Sequence, residues 1–214
     1  MNTPLINILI RVSRPRLFER CLHSILSQTY DNIRCVFHSD NPKAYTSILE
    51  QKPTADKLLV WDNVDRYKII KFHSFIPKKK YQWNLYVNTL KREVNDGYWF
   101  VMDDDDYLSH KNILSDLVTY LQDEPDGLVV QFLRNGKPKP SNHLIATKTI
   151  RLGLIGGGCL VLHSKHKDVA DWDGERAADY RWIKSVSEKV NLKFVPIVLQ
   201  VAGNNGLHGQ QINN

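Results

Sequence analysis

Four consecutive carboxylates, Asp103, Asp104, Asp105 and Asp106, directly follow the apolar stretch Tyr98, Trp99, Phe100, Val101 and Met102. Aromatic and β-branched residues after Gly97 predict a short buried strand, and open α/β sheets place their ligands beyond the C-terminal ends of such strands. Two like charges about 4 Å apart repel by roughly 4 kcal/mol at an effective dielectric near 20. The cluster therefore calls for a cation, protonation or wide solvation. Hard oxygen ligands suit Mg2+ or Mn2+, and such an ion commonly carries substrate phosphates as its remaining ligands. The structural alternative is a solvated acidic turn that caps the next helix, because carboxylates favour helix N-termini.

The elements that must position these acids are legible as alternating strands and helices. Residues 5–10 read as a first strand, and Pro15 opens a helix whose apolar positions Phe18, Cys21, Leu22, Ile25 and Leu26 keep helical spacing. Residues 33–37 form a second short apolar run with turn residues on both sides. A helix over 43–51, a strand over 58–61 and a brief strand about Ile69, Ile70 and Phe72 are expected next, within an exposed region at 62–80. Trp83, Val87, Leu90 and Val94 make an amphipathic helical stripe ahead of the acidic strand. Beyond it come a helix marked by Ile113, Leu114, Leu117, Val118 and Leu121, a strand at 128–133, and a hairpin turn at Arg134, Asn135, Gly136 and Lys137. Gly156, Gly157 and Gly158 precede a strand at 159–162, where glycine permits close backbone approach to a ligand or a plain bulge. A helix over 177–190, a strand over 194–201 and a polar glycine-rich tail complete the chain. The alternation implies one α/β domain over 1–214 with a mainly parallel central sheet flanked by helices.

At 214 residues the chain suits one well-buried domain. Lysine and arginine exceed aspartate and glutamate by 29 − 23 = 6, which favours anionic partners without choosing among them. Cys21, Cys35 and Cys159 are widely spaced and lack any Cys-x-x-Cys pattern, so they read as reduced core residues in a cytoplasmic protein. Neither a leader pattern in residues 1–10 nor an apolar run long enough to span a membrane is evident. No G-x-G-x-x-G follows the first strand and no P-loop occurs, so phosphate would be held some other way.

Three segments carry a resemblance. Ile8-Leu9-Ile10-Arg11-Val12-Ser13-Arg14-Pro15, the helix ending Ser24-Ile25-Leu26-Ser27-Gln28-Thr29-Tyr30, and Met102-Asp103-Asp104-Asp105-Asp106-Tyr107-Leu108 resemble a family-two-type glycosyltransferase of the GT-A fold, over about residues 6–201. That resemblance implies transfer of a sugar from a nucleotide-sugar, a UDP-sugar in preference, to a hydroxyl on a glycan, lipid-linked or other acceptor, with inversion and with Mn2+ or Mg2+. The acidic run is similar to the family's L-D-x-D-D-x-L segment (its DXD motif), so Asp106 is implied as a metal ligand. By the same likeness Asp105 is a ribose or sugar contact or a second ligand, and Asp103 a supporting charge. Arg11, Ser13, Arg14, Asp40, Asn84 and Asp104 fall in the implied nucleotide-sugar site. Where the family has Asp-Asp-Gly-Ser after the second strand, this chain has His38-Ser39-Asp40-Asn41 and keeps only Asp40. The catalytic base of the family opens a late helix, which points to Asp179; the usual preceding glutamate is Ala178, and nearby Glu175 is the alternative. His208 matches a C-terminal metal histidine seen in some GT-A enzymes, or is a solvated tail residue.

Read as chemistry, Asp179 would deprotonate the acceptor hydroxyl, while the metal and basic residues such as Arg11, Arg14 or Lys78 would neutralise the departing diphosphate. Acceptor choice would fall to loops at 62–80 and 134–143. Two other readings use the same residues. One is a nucleotide-sugar-binding domain without turnover. The other is a nucleic-acid-binding protein using Lys78–Lys80, Lys137, Lys139, Lys165 and Lys167 on phosphates, which could merge with the first reading as a transferase acting on modified DNA bases; the four acids argue against it. Trp83, Trp99 and Trp182 read as core packing.

Overall fold

The computed structural model describes residues 3–39, 67–71 and 82–203. The expected helix at 43–51 and strand at 58–61, together with Asp40, Lys78 and His208, lie outside the described residues. The strands are β1 (Ile6–Arg11), β2 (Ile33–Ser39), β3 (Tyr67–Lys71), β4 (Tyr98–Asp103), β5 (Tyr107–Leu108), β6 (Gly127–Arg134), β7 (Lys137–Lys139), β8 (Leu160–His163) and β9 (Leu192–Val201). Among the described residues they join in one sheet ordered β3-β2-β1-β4-β8-β6-β9-β5, with β7 paired to β6. The β3-β2-β1-β4 half is parallel throughout. In the other half β8 runs antiparallel to both its neighbours, and β6 and β9 are parallel.

The helices are α1 (Pro15–Leu26), α2 (Tyr86–Leu90), α3 (Ile113–Thr119), α4 (Asn142–Ala146) and α5 (Ala178–Ser187). Strand alternation distributes the core over two faces. Ile6, Ile8 and Ile10 of β1 and Tyr98, Phe100 and Met102 of β4 join the cluster that receives Phe18, Cys21, Leu22 and Ile25 of α1 and the apolar side of α3. Leu9, Trp99 and Val101 face the other way, against Val87 and Leu90 of α2 and Trp182, Ile183 and Val186 of α5. Continuing that alternation by one step puts Arg11 and Asp103, which are register partners across β1 and β4, on the face covered by α2 and α5.

Trp99 and Trp182 are buried with ring centroids 5.6 Å apart, as core packing requires. All three cysteines are free and buried, and burial pushes the Cys35 and Cys159 thiols up to about 12. The stripe expected as one helix over 81–94 is broken into 3-10 turns at Gln82–Leu85 and Lys91–Glu93 around the short α2. The segment at 134–143, expected as loop, contains β7 and the start of α4, whose N-cap Ser141 accepts the Leu144 amide. No helix among the described residues is long and apolar enough to cross a membrane.

Candidate active site

The acidic run occupies the turn between β4 and β5, with the Asp106 amide donating to the Asp103 carbonyl at 3.0 Å. Its four carboxylates do not share one environment. Asp104 is 1 % exposed and accepts through Oδ2 from the backbone amides of Ser13 at 2.7 Å and Arg14 at 2.6 Å. The Ser13 hydroxyl adds a third contact at 3.3 Å. Oδ1 of Asp104 accepts from Arg14 Nε at 2.9 Å and from Nη2. The same guanidinium reaches Asp105, with Nη1 2.9 Å from Oδ2 and Nη2 2.6 Å from Oδ1.

This arrangement follows from what α1 lacks. Its first turn holds no acidic residue and its N-cap, Arg14, offers no capping side chain. Asp104 supplies the negative charge from across the sheet at the positive end of that helix. Burial works against the Arg14 charge, but Asp104 and Asp105 outweigh it, and the guanidinium pKa is raised. Ser13, Arg14 and Asp104, expected as nucleotide-sugar contacts, are thus brought together chiefly by one another.

Asp103 and Asp106 differ. Among the described residues neither enters an ion pair. Asp103 keeps solvent-accessible surface at the end of β4, yet enough protein surrounds it that lost hydration, then Asp105 and Asp104, push its pKa up to about 6 despite Arg14 and Arg11. Asp106 is half-buried and accepts the Gly203 amide at 3.1 Å through Oδ1. Lost hydration, then Asp103 and Asp105, push it up to about 8 against that hydrogen bond. Two carboxylates that no ion pair among the described residues takes up are hard oxygen donors of the kind that suits a divalent cation. Among the described residues no three His, Cys, Asp or Glu side chains form a complete ligand set.

Arg11 lies opposite Asp103 with its guanidinium 4.7 Å from the Tyr86 ring centroid. Asn84 is drawn elsewhere: its Nδ2 donates to the Glu175 carbonyl at 2.9 Å. One helical turn on, Asn88 exchanges hydrogen bonds with the Trp172 backbone at 2.8 and 2.9 Å. The two asparagines tether the segment that leads into α5. Asp179 stands in the first turn of α5 after a left-handed Ala177, half-buried, with Oδ1 accepting the Tyr180 amide at 2.8 Å. Glu175 is exposed.

The glycine run links the two acidic regions. The turn Gly157–Cys159 touches β4, β6, β9 and α5. A Cβ on Gly157 would lie 2.6 Å from Trp172 and one on Gly158 2.9 Å from Gln200, so the close approach there is to protein side chains. Gly156 lies beside Asp179, whose Oδ2 is 3.6 Å from its Cβ position. Gln200 Nε2 in turn donates to the Val101 carbonyl at 2.9 Å, two residues before Asp103. Gly203, Gln200, Tyr86 and Asn88 escaped the sequence reading because each acts through a partner distant in sequence.

The sequence matches the family model described as Glycosyl transferase family 2 over residues 12–152. No curated protein matches it in sequence. In three dimensions the chain is similar to S. aureus TarS 1-349, with a TM-score of 0.68 at 14% identity over 92% of this chain and 60% of that chain. The same TarS fragment in complex with UDP-GlcNAc gives 0.66 at 15% identity over 92% and 58%. The mannosyltransferase PcManGT from Pyrobaculum calidifontis, in complex with GDP-Man and Mn2+, gives 0.67 at 15% identity over 95% and 58%. The chain therefore spans less than two thirds of these structures, and the likeness bears out the expected GT-A fold.

Proposed function

The chain belongs to glycosyl transferase family 2, and on that footing we propose that residues 1–214 act as a single cytoplasmic domain moving a sugar from a nucleotide-sugar, UDP-linked in preference, to an acceptor hydroxyl with inversion and with Mn2+ or Mg2+. The observation that carries this reading is the division of the acidic run. Arg14 takes up Asp104 and Asp105, whereas Asp103 and Asp106 hold their protons unusually strongly because lost hydration and the neighbouring carboxylates outweigh the nearby arginine charge. Asp106 and Asp103 would hold the divalent ion; when bound, it neutralises charge that grows on the departing diphosphate. A Mn2+ and GDP-Man complex of one structural neighbour and a UDP-GlcNAc complex of another support this choice of ligands.

Asp179 takes the proton of the acceptor hydroxyl, whose oxygen then forms the bond to the anomeric carbon as the nucleoside diphosphate leaves. Arg11, on the Asp103 face and stacked on Tyr86, is the cation available to the diphosphate; Arg14 acts by holding the carboxylate turn against α1. Asn84 and Asn88 position the approach to α5, and with it Asp179. Buried free thiols suit the reducing cytoplasm.

The test is thermal stabilisation by nucleoside diphosphates and nucleotide-sugars, each with and without Mn2+. A ligand at 100 times its Kd adds about 2.7 kcal/mol. Metal-dependent stabilisation by one nucleotide, abolished in Asp106→Asn, is expected. Stabilisation by none would overturn the donor assignment.

A further inference from the structure

Residues 127–167 contain no aspartate or glutamate. They hold seven lysines and arginines, more than the whole chain's net charge of +6, so the remainder of the molecule is on balance slightly acidic. The fold divides these cations between two ends of the sheet. Lys165 and Lys167 sit by the start of β4, where Lys165 pairs with Asp126 at 2.7 Å and Lys167 donates to the Val94 carbonyl at 2.6 Å. Arg134, Lys137, Lys139, Lys148 and Arg151 lie on the β6–β7 hairpin and on α4 with its following loop. That hairpin leaves the sheet at the catalytic end: Leu133 accepts the Ala202 amide at 2.8 Å, one residue from the Gly203 amide on Asp106.

Among the described residues, Lys137, Lys139, Lys148 and Arg151 enter no ion pair. Beside Arg151 is Leu152, 58% exposed and the one large apolar side chain so exposed among the described residues. Backbone strain points to the same place. Lys148 follows α4 with φ 51, a left-handed position where glycine is the default and a lysine is disfavoured. Lys148 thus presents its cation from a strained backbone position, and strained positions of this kind cluster at functional sites.

We propose that the β6–β7 hairpin and the loop carrying Lys148, Arg151 and Leu152 dock the enzyme on an anionic lipid surface. Cations meet the headgroups while Leu152 enters the apolar boundary, the division of labour of interfacial anchors. The exposed leucine selects a membrane over a nucleic acid, since phosphates alone offer it no apolar phase. Docking would hold the transfer site next to acceptors presented at the membrane, and it stands independently of which donor the enzyme uses.

Co-sedimentation of the intact protein with phosphatidylcholine vesicles, with and without about one third phosphatidylglycerol, tests this directly. Binding is expected only to the anionic vesicles, weakened about fivefold by Arg151→Ser and about tenfold by Leu152→Ser. Lys148→Gly separates binding from folding: it should weaken binding about fivefold while raising Tm, because glycine accepts the positive φ. Absence of binding, equal binding to neutral vesicles, or full binding by Leu152→Ser would overturn the proposal. Salt-sensitive binding to a single-stranded DNA, weakened by Arg151→Ser, in a protein that ignores vesicles would overturn it in favour of a nucleic-acid surface.

Discussion

Arg14 grips Asp104 with both its backbone and its side chain: the amide lies 2.6 Å from Oδ2 and Nε lies 2.9 Å from Oδ1. Ninety residues separate the two in sequence, and the contact pins the start of α1 to the end of β4. One arginine thereby takes up Asp104 and Asp105 and leaves Asp103 and Asp106 outside its ion pairs.

Removing the Asp104 charge should therefore cost stability before it costs chemistry. Asp104→Asn presents an amide donor where only acceptors fit and leaves the guanidinium short of one partner. Breaking a fully buried pair costs about 3–5 kcal/mol; the Arg14 side chain is 35% exposed, so about 2–3 kcal/mol is expected after discounting for solvent. Urea denaturation would show this as a lower midpoint with unchanged slope. Were Arg14 chiefly a donor ligand, Arg14→Ala would instead raise KM at unchanged stability.

Asp106 sets a pH dependence whose sign is fixed by the direction of its shift. Its pKa rises from 3.8 unfolded to about 8 folded, so between these values the folded state holds the extra proton and stability falls as pH rises. The contribution is complete below about pH 4 and lost above about pH 8. Asp106→Asn should accordingly raise Tm at pH 8 in the absence of metal, by about 2–4 °C for each kcal/mol relieved, and flatten the Tm profile. Mn2+ competes with the proton, so nucleotide affinity in Mn2+ should strengthen from pH 6 to pH 8 in the wild type. A variant less stable than the wild type at pH 8 would mean that Asp106 is stabilised as an anion by the protein alone.

Much of this was legible locally. The apolar run ending in acids is β4 and its turn, the α1 stripe packs as its spacing required, and Asn135-Gly136 makes the β6–β7 turn with both residues at positive φ. What was not legible is tertiary. Nothing beside Arg14 in the sequence announces Asp104, and nothing beside Asn84 announces the Glu175 carbonyl. β5 has two residues and α4 five, too few for any period to register, and Pro138 disguises an edge strand that tolerates it.

The base assignment separates two neighbouring acids. Asp179→Asn should leave nucleotide-sugar binding intact and lower kcat by about 10²–10⁴-fold, whereas Glu175→Gln should lower neither. Equilibrium binding and single-turnover transfer on the same samples would distinguish them. The reverse pattern would move the base to Glu175, whose backbone Asn84 holds.

Gly203 offers the sharpest test that the end of β9 shapes the site. A Cβ there would stand 1.5 Å from the Asp105 carbonyl oxygen and 2.1 Å from Arg20 Nη2. The guanidinium can swing aside; the carbonyl belongs to the turn that carries Asp106 and cannot. Gly203→Ala must then either lift the chain after β9 and withdraw the amide from Asp106, or push the turn itself. Both routes disturb Asp106 far more than the core, because Gly203 lies beyond the last β9 pair, Val201 with Tyr107. The expected loss is about 1–3 kcal/mol of stability, with metal-dependent nucleotide affinity falling by more than the same free energy, each 1.4 kcal/mol being about tenfold. Equal losses in both would mean that the contact serves only to close the sheet.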